Sequence, residues 1–437
     1  MDTICALSSG APPSGVAVIR ISGPKTLACV EGLCGAVGEP RKALLRVIRD
    51  PATGEALDEG LVLWMPGPSS FTGEDCAEFQ CHGSRAVVDA IIAVLTGIDE
   101  VRLADAGEFS RRAFDNGKLD LTELEGLADL IQAETEAQRR QAALLAQGAM
   151  RRDLEAWRKR LINLRAEIEA RLDFVDEDDV STDLPSGFFD AIRTLRDSVA
   201  EAVGTLSVAE RVRHGLRVAL IGAPNSGKST LLNRIARRDV AIVTEVAGTT
   251  RDVLEVPLDL GGYPVVLFDT AGLRETENIV EQEGIRRARL AAEQADLVLW
   301  LRDLSAPEGT SDKPIDSVPV WTVWTKADLV AVAIGKDDLR ISAVTGEGLE
   351  RLLERLRDAA HNAMGSGSAW LVTRERQARA LGETLSSLEV ALADGNRPLE
   401  MVAEDLRSAS DGIGRVIGRV DVEDVLDQLF SEFCIGK

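Results

Sequence analysis

Apolar positions along this chain fall into three successive patterns. Across roughly the first hundred residues, short apolar runs such as Gly15 to Ile21 and Leu61 to Met65 alternate with Gly/Pro turns, which reads as a mixed α/β domain. From about Leu119 the spacing changes. Leu121, Leu124, Leu127, Leu130 and Ile131, then Leu154, Leu161, Leu164, Ile168 and Leu172, recur at helical intervals among charges, predicting long amphipathic helices. An acidic stretch from Asp173 to Asp179 closes that run, Asp183 to Gly187 reads as a loop, and helical spacing resumes to about Arg213.

At Leu216 buried-strand runs begin to alternate with helical segments: Arg217 to Ile221, Val265 to Phe268, Leu297 to Leu301 and Val318 to Val323. That alternation predicts a parallel sheet. The block ends near Ala363, and Gly365 to Ser368 reads as a flexible exit linker. Helical spacing then returns through Leu381, Leu388, Leu392, Leu406 and Val425. Helices on both sides of the α/β block predict a helical domain into which a nucleotide domain is inserted.

Composition narrows the class. With 437 residues the chain is expected to form two or three domains, and no apolar run approaches the roughly 18 residues of a membrane span. The start, Met1 to Cys5, lacks the pattern of a secretory signal, so a cytoplasmic location is expected. Cys5, Cys29, Cys34, Cys76, Cys81 and Cys434 form no CxxC pair, which argues against a structural zinc site. The formal net charge of −22 repels a polyanion. Contact with nucleic acid would therefore need a local basic patch or a basic partner.

Candidate chemistry concentrates in the α/β block. Gly222 to Ser229 reads GAPNSGKS and fits GxxxxGK[ST], following a predicted strand and opening a helix over Thr230 to Arg237. Glycines in this context let backbone N–H groups curl around phosphate, Lys228 reaches the β and γ phosphates, and the Ser229 hydroxyl is placed for Mg²⁺. Asp269 to Gly272 reads DTAG at the end of an apolar run. It sets a carboxylate where it can hold Mg²⁺ through water. Thr325 to Asp328 reads TKAD after a further strand, and Asp328 can accept two hydrogen bonds from guanine that adenine cannot offer. Ser342, Ala343 and Val344 follow Ile341 and supply a backbone contact to the guanine carbonyl. In this order the four resemble the G1, G3, G4 and G5 motifs of GTPases, which favours GTP over ATP. Thr325 stands where those motifs usually carry asparagine, so a weaker tether is expected there. Leu273 follows DTAG where a water-positioning glutamine is common, so hydrolysis must recruit another residue. Glu275, Glu277, Glu281 and Glu283 are at hand.

Blocks outside these motifs carry a family resemblance. They are Phe71 to Asp75 (FTGED), Glu78 to Gly83 (EFQCHG), Gly107 to Phe114 (GEFSRRAF), Asn116 to Leu121 (NGKLDL), Gly248 to Asp252 (GTTRD) and Phe433 to Lys437 (FCIGK). With them the chain resembles the MnmE (TrmE) family of tRNA-modification GTPases over essentially its whole length. The resemblance implies a multidomain α/β plus α fold. Residues 1–118 would form an N-terminal folate-binding and dimerisation domain, and 119–213 the first part of a discontinuous helical domain. Residues 214–366 would form an inserted Ras-like G domain, and 367–437 the second helical part.

It further implies a homodimer working with the flavoprotein MnmG, in a heterotetramer, to install an aminomethyl-type group at C5 of the wobble uridine of certain tRNAs. The one-carbon unit would come from 5-formyl- or methylene-tetrahydrofolate. The GTP contacts would be Asn225, Ser226, Gly227, Lys228, Ser229 and Thr230; Thr244, Glu245, Val246, Ala247, Gly248, Thr249 and Thr250; Asp269, Thr270, Ala271 and Gly272; Thr325, Lys326, Ala327 and Asp328; and Ser342, Ala343 and Val344. K⁺ would be held by Asn225, Thr244, Val246 and Thr249, Mg²⁺ by Ser229 and Thr250, and Glu281 would orient the attacking water. Folate would meet Arg20, Glu78, Lys118 and Lys437. Two departures from the family pattern stand out: Ser8 to Gly15 in a loop near the folate site, and Ala106 before Gly107. A GTP-switched assembly or ribosome-associated factor without folate chemistry is the alternative.

Overall fold

The computed structural model describes residues 2–173, 184–242, 255–269, 295–306, 318–330, 339–365, 372–393 and 397–419, together with Val425, Leu426, Leu429, Phe430, Phe433 and Gly436. The chain divides into two compact units. The first comprises Met1–Ala128, Ala146–Lys159 and Ser410–Lys437; the second comprises Asp129–Leu145 and Arg160–Ala409.

In the first unit, strands β1 (Thr3–Leu7), β2 (Ser14–Ser22), β3 (Leu44–Arg49), β4 (Ala56–Met65), β5 (Cys76–Gly83) and β6 (Val101–Leu103) form one sheet in the order β3-β4-β5-β2-β1-β6. Every pairing is antiparallel except β1 with β6. Side chains alternate between faces along a strand. Ala17, Ile19 and Ile21 of β2 therefore share a core with α1 (Thr26–Cys34) and α2 (Arg85–Thr96), while Arg20 is left to the opposite face. Ile4 and Ala6 of β1 pack with Phe71, Ala104 and Phe109 of α3 (Glu108–Asp115). Helix α4 (Leu121–Gln132) buries Leu121, Leu124 and Ala128 against Leu426, Leu429, Phe430 and Phe433. The returning C-terminal segment thus completes the N-terminal unit's core. Beyond it Gly436 sits at φ +99, where a Cβ would come within 2.1 Å of the Leu7 carbonyl oxygen. Only glycine fits that approach, and the Ser8 hydroxyl donates to the Gly436 carbonyl at 2.7 Å.

The second unit holds α5 (Glu136–Ala146), most of α6 (Ala149–Asp173), α7 (Phe188–Gly204), α8 (Leu206–His214) and the α/β block. Strands β7 (Leu216–Gly222), β8 (Glu255–Leu260), β9 (Tyr263–Asp269), β10 (Leu297–Asp303), β11 (Val320–Thr325) and β12 (Leu339–Arg340) align in the order β12-β11-β10-β7-β9-β8. All neighbours are parallel except the β8–β9 hairpin, which turns on Gly261 and Gly262, both at positive φ. Four of these strands fall on the apolar runs; β8 and the two-residue β12 carry no such run. Helix α9 (Lys228–Ala236) follows β7, and α10 (Leu349–Met364) buries Leu349, Leu352, Leu353, Leu356 and Ala360 on the sheet. Helices α11 (Glu375–Leu392) and α12 (Leu399–Ile417) follow, α11 packing on α7. With the first strand β7 in the middle of the sheet, the crevice beyond its carboxyl end is the expected ligand position of such a fold.

Candidate functional site

At that carboxyl end the chain makes the turn its residues foretold. A Cβ on Gly222 would lie 2.5 Å from the Leu301 carbonyl and 2.6 Å from Ser226 Oγ, so the strand can leave the sheet here only as glycine. Asn225 follows at φ +63 and Gly227 at φ +96, left-handed positions that asparagine and glycine tolerate best. Helix α9 then opens directly at Lys228, aiming its unpaired N–H groups and positive dipole end into the turn.

Lys228 is only 9% exposed. Its Nζ donates to the carbonyls of Gly222 at 2.8 Å and Ala223 at 3.1 Å. Burial pulls its pKa below the usual lysine value, with Asp269 acting in the opposite direction. Asp269 ends β9 and is buried, with Oδ2 3.5 Å from the Ser229 hydroxyl. A hydroxyl and a carboxylate converging beside a lysine form a donor set suited to Mg²⁺ with bound phosphate.

The residues after β11 and β12 are equally connected. The buried Ser342 donates its hydroxyl to Asp328 Oδ1 at 2.6 Å, fixing one carboxylate oxygen and with it the orientation of the carboxylate. Lys326, at φ +59, pairs with Asp303 at 2.6 Å. Burial raises the Asp303 pKa, but the hydrogen bonds from Lys326 and Ser305 outweigh it and hold the carboxyl below the usual range. Asp303, at the end of β10, belongs to no motif and lies beyond the apolar run Leu297 to Leu301 that marked the strand in the sequence.

Thr325 ties directly to the phosphate loop. Its hydroxyl donates to the Ser226 carbonyl at 2.7 Å, with the Arg302 carbonyl farther off at 3.2 Å. A short side chain suffices because the phosphate loop passes close by: a Cβ on Gly227 would lie 3.7 Å from Thr325 Cβ. Thr325→Val keeps the shape but strips the buried Ser226 carbonyl of its donor, at a cost of about 1–2 kcal/mol. Nucleotide affinity measured by titration should drop by about five- to thirtyfold, and Thr325→Asn should recover most of it. Unchanged affinity in the valine variant would show that the tether does not shape the phosphate loop.

In the first unit Arg20 and Glu78 face each other across β2 and β5 in direct register. Arg20 Nε and Nη2 donate to Glu78 Oε1 at 3.0 and 2.8 Å, and its guanidinium lies 5.2 Å from the Phe71 ring and 5.8 Å from that of Phe109. Arg20 is thus committed to orienting Glu78, an arrangement spacing alone could not reveal. Lys118 is exposed and donates to the Pro68 carbonyl at 2.9 Å. It stands beside Gly73, whose Cβ would come 3.3 Å from the lysine Cγ. The loop carrying Pro68, Phe71 and Gly73 therefore touches both Arg20 and Lys118. Nearby, Arg112 joins Asp2, Glu74 and Glu108 in a largely buried network.

Burial lifts the thiols of Cys5, Cys29, Cys34 and Cys81 to about 11, which makes them unreactive near neutral pH. Among the described residues no group of three or more His, Cys, Asp or Glu side chains is placed to hold a metal, and no helix is long and apolar enough to cross a membrane. Thr244 to Thr250, Thr270, Ala271, Gly272, Glu281, Cys434 and Lys437 lie outside the described residues.

Comparison with known proteins covers both units. Residues 3–118 match the family model described as GTP-binding protein TrmE N-terminus, and residues 121–434 match that of the MnmE helical domain. Curated relatives called tRNA modification GTPase MnmE include those of Brucella abortus strain 2308 and Brucella suis biovar 1, each 51% identical over 436 residues, or 100% of this chain and 98% of theirs. That of Brucella anthropi is 49% identical over the same span. Among solved structures, the G domain of the T. maritima FeoB iron transporter aligns with 33% of this chain and 98% of its own, at 28% identity and a TM-score of 0.24. With both family models matched and half of all positions identical across its length, the chain belongs to the MnmE (TrmE) family of tRNA modification GTPases.

Proposed function

We propose that this protein hydrolyses GTP and, with the flavoprotein MnmG, adds a carboxymethylaminomethyl or aminomethyl group at C5 of the wobble uridine of certain tRNAs, using a one-carbon unit from 5-formyl- or methylene-tetrahydrofolate. The observation that carries the reading is the convergence, in one block of a chain of this family, of Lys228, Ser229 and Asp269 at one end and the Ser342-braced Asp328 at the other. A phosphate anchor and a guanine acceptor on the same sheet edge are what GTP requires.

The proposed organisation is a folate-binding and dimerising domain over 1–118, helical parts over 119–213 and 367–437, and a G domain over 214–366. Mg²⁺ would be held by Ser229 and Thr250. K⁺ would be held by Asn225 with Thr244, Val246 and Thr249, and the left-handed backbone at Asn225 supports that role by turning the loop at this residue. The cation would supply positive charge beside the phosphates as negative charge develops in the transition state. Glu281 would orient the water that Leu273 cannot. In the first unit, Glu78 would accept from the folate ring while Arg20 holds it in place, and Lys118 and Lys437 would meet the anionic tail. The partner flavoprotein would carry much of the tRNA contact, consistent with a charge of −22, and the assembly would act in the cytoplasm.

Two measurements test this. Mass analysis of tRNA from cells lacking the protein should show loss of the wobble-uridine modification; intact modification would refute the tRNA role. Exchanging K⁺ for Na⁺ at constant ionic strength should slow GTP turnover by about tenfold or more, because the smaller ion does not fit a ligand set sized for K⁺ and the preorganised charge is not held there, whereas equal rates would reject the K⁺ assignment.

A further inference from the structure

Helix α5 opens on Thr135-Glu136-Ala137-Gln138, a capping box. Gln138 Oε1 accepts from the Thr135 N–H at 3.0 Å, and Thr135 Oγ1 accepts from the Gln138 N–H at 3.5 Å. First-turn N–H groups that find no partner within the helix must find one elsewhere. That of Ala137 donates to the Gly262 carbonyl at 2.9 Å, at the turn of the β8–β9 hairpin. The Ala137 side chain is buried in the same core as Leu258, Val265 and Leu267. The Gln138 amide also donates to the Arg213 carbonyl at 2.9 Å, just ahead of β7. Asp129 on α4 anchors the neighbourhood: its Oδ1 accepts from Arg213 Nε and from Arg374 Nη2, each at 3.0 Å. Those arginines lie on the two chain segments that flank the nucleotide block.

Strand β9 joins this contact to the phosphate site. It starts at Tyr263, next to Gly262, and ends at Asp269 beside Ser229, a span of about 20 Å for a strand of this length. We propose that the β8–β9 hairpin passes the nucleotide state sensed at Asp269 to helix α5, with the Ala137–Gly262 hydrogen bond as the coupling contact. The inference rests on the reading of the block as a GTPase. A nucleotide can bias α5 only through a contact whose strength differs between the two nucleotide states. One strand tied at one end to the phosphate carboxylate and at the other to a helix's first turn provides such a contact.

Proline is tolerated in the first turn of a helix and lacks an N–H, so Ala137→Pro removes the coupling bond while preserving α5. Ala137→Ser keeps the N–H and serves as control. In the full-length protein, amide exchange across α5 should differ by about fivefold between GDP and a non-hydrolysable GTP analogue, the scale of one hydrogen bond's coupling. The serine variant should retain this difference. The proline variant should lose it while GTP turnover stays within about twofold of the parent's, because the phosphate site is untouched. Should α5 exchange ignore the nucleotide in the parent although GTP binds, or should the proline variant keep the full difference, the coupling is refuted. If the proline variant unfolds, Gln138→Met replaces it: without the cap and the Arg213 bond the first turn no longer holds the Ala137 N–H firmly against Gly262, and the difference must likewise fall. Absence of GTP binding in the parent would instead refute the GTPase reading.

Discussion

Asp328→Asn should lower GTP affinity by about a hundredfold or more and raise affinity for xanthosine triphosphate, because a site that hydrogen-bonds one edge of a ligand discriminates that strongly against a mismatched edge. A carboxylate presents only acceptors, matching the two N–H donors of guanine's edge. An asparagine presents one acceptor and one NH₂, so its amide would confront the guanine amino group donor to donor. Xanthine carries a carbonyl at that position and restores the match. Since Ser342 Oγ already holds one Asp328 oxygen at 2.6 Å, the exchanged side chain should keep its place and change only its chemistry. Competitive titration of the two nucleotides reads the outcome. A variant that still prefers GTP would mean that Asp328 does not select the base.

Lys228→Met should cost about a hundred- to a thousandfold in GTP affinity, the scale of a desolvated charge contact with phosphate, without lowering the thermal stability of the nucleotide-free protein. The two halves of the prediction share a cause. The ammonium is buried, and desolvation already depresses its pKa even with Asp269 nearby. Among the described residues its ammonium donates to the Gly222 and Ala223 carbonyls, so an apolar chain of similar length removes a desolvation penalty along with two hydrogen bonds. Phosphate is the partner that makes the charge favourable. Calorimetry of the two proteins with and without GTP checks both halves, and a marked loss of stability without nucleotide would give Lys228 a structural role.

What the sequence made legible divides by distance along the chain. The phosphate loop could be read because its residues are contiguous and because β7 and α9 flank it as the motif demands. The order of Asp269, Asp328 and Ser342 could be read because each closes or follows an apolar strand run. The Arg20–Glu78 pair could not, since it joins residues 58 positions apart through a strand register, and register is decided by the whole sheet. Reading Thr325 by residue type led to an expectation of a weaker tether. Its hydroxyl keeps the tie because the backbone of Gly227 lies so near, a distance no motif encodes. Strand β8 escaped notice because Glu255, Pro257 and Asp259 break its apolar run, leaving Val256, Leu258 and Leu260 to alternate into the core.

The hydrogen bond from Ser8 to the Gly436 carbonyl joins positions 428 apart. A ribosome therefore makes every strand and helix of the nucleotide block before it makes the residue that closes the first unit. Contiguous segments can fold as they emerge, whereas a contact of this span must wait for nearly the entire chain. A nascent or prematurely terminated chain would then hold a finished phosphate loop while the core of the first unit still lacks the segment that closes it.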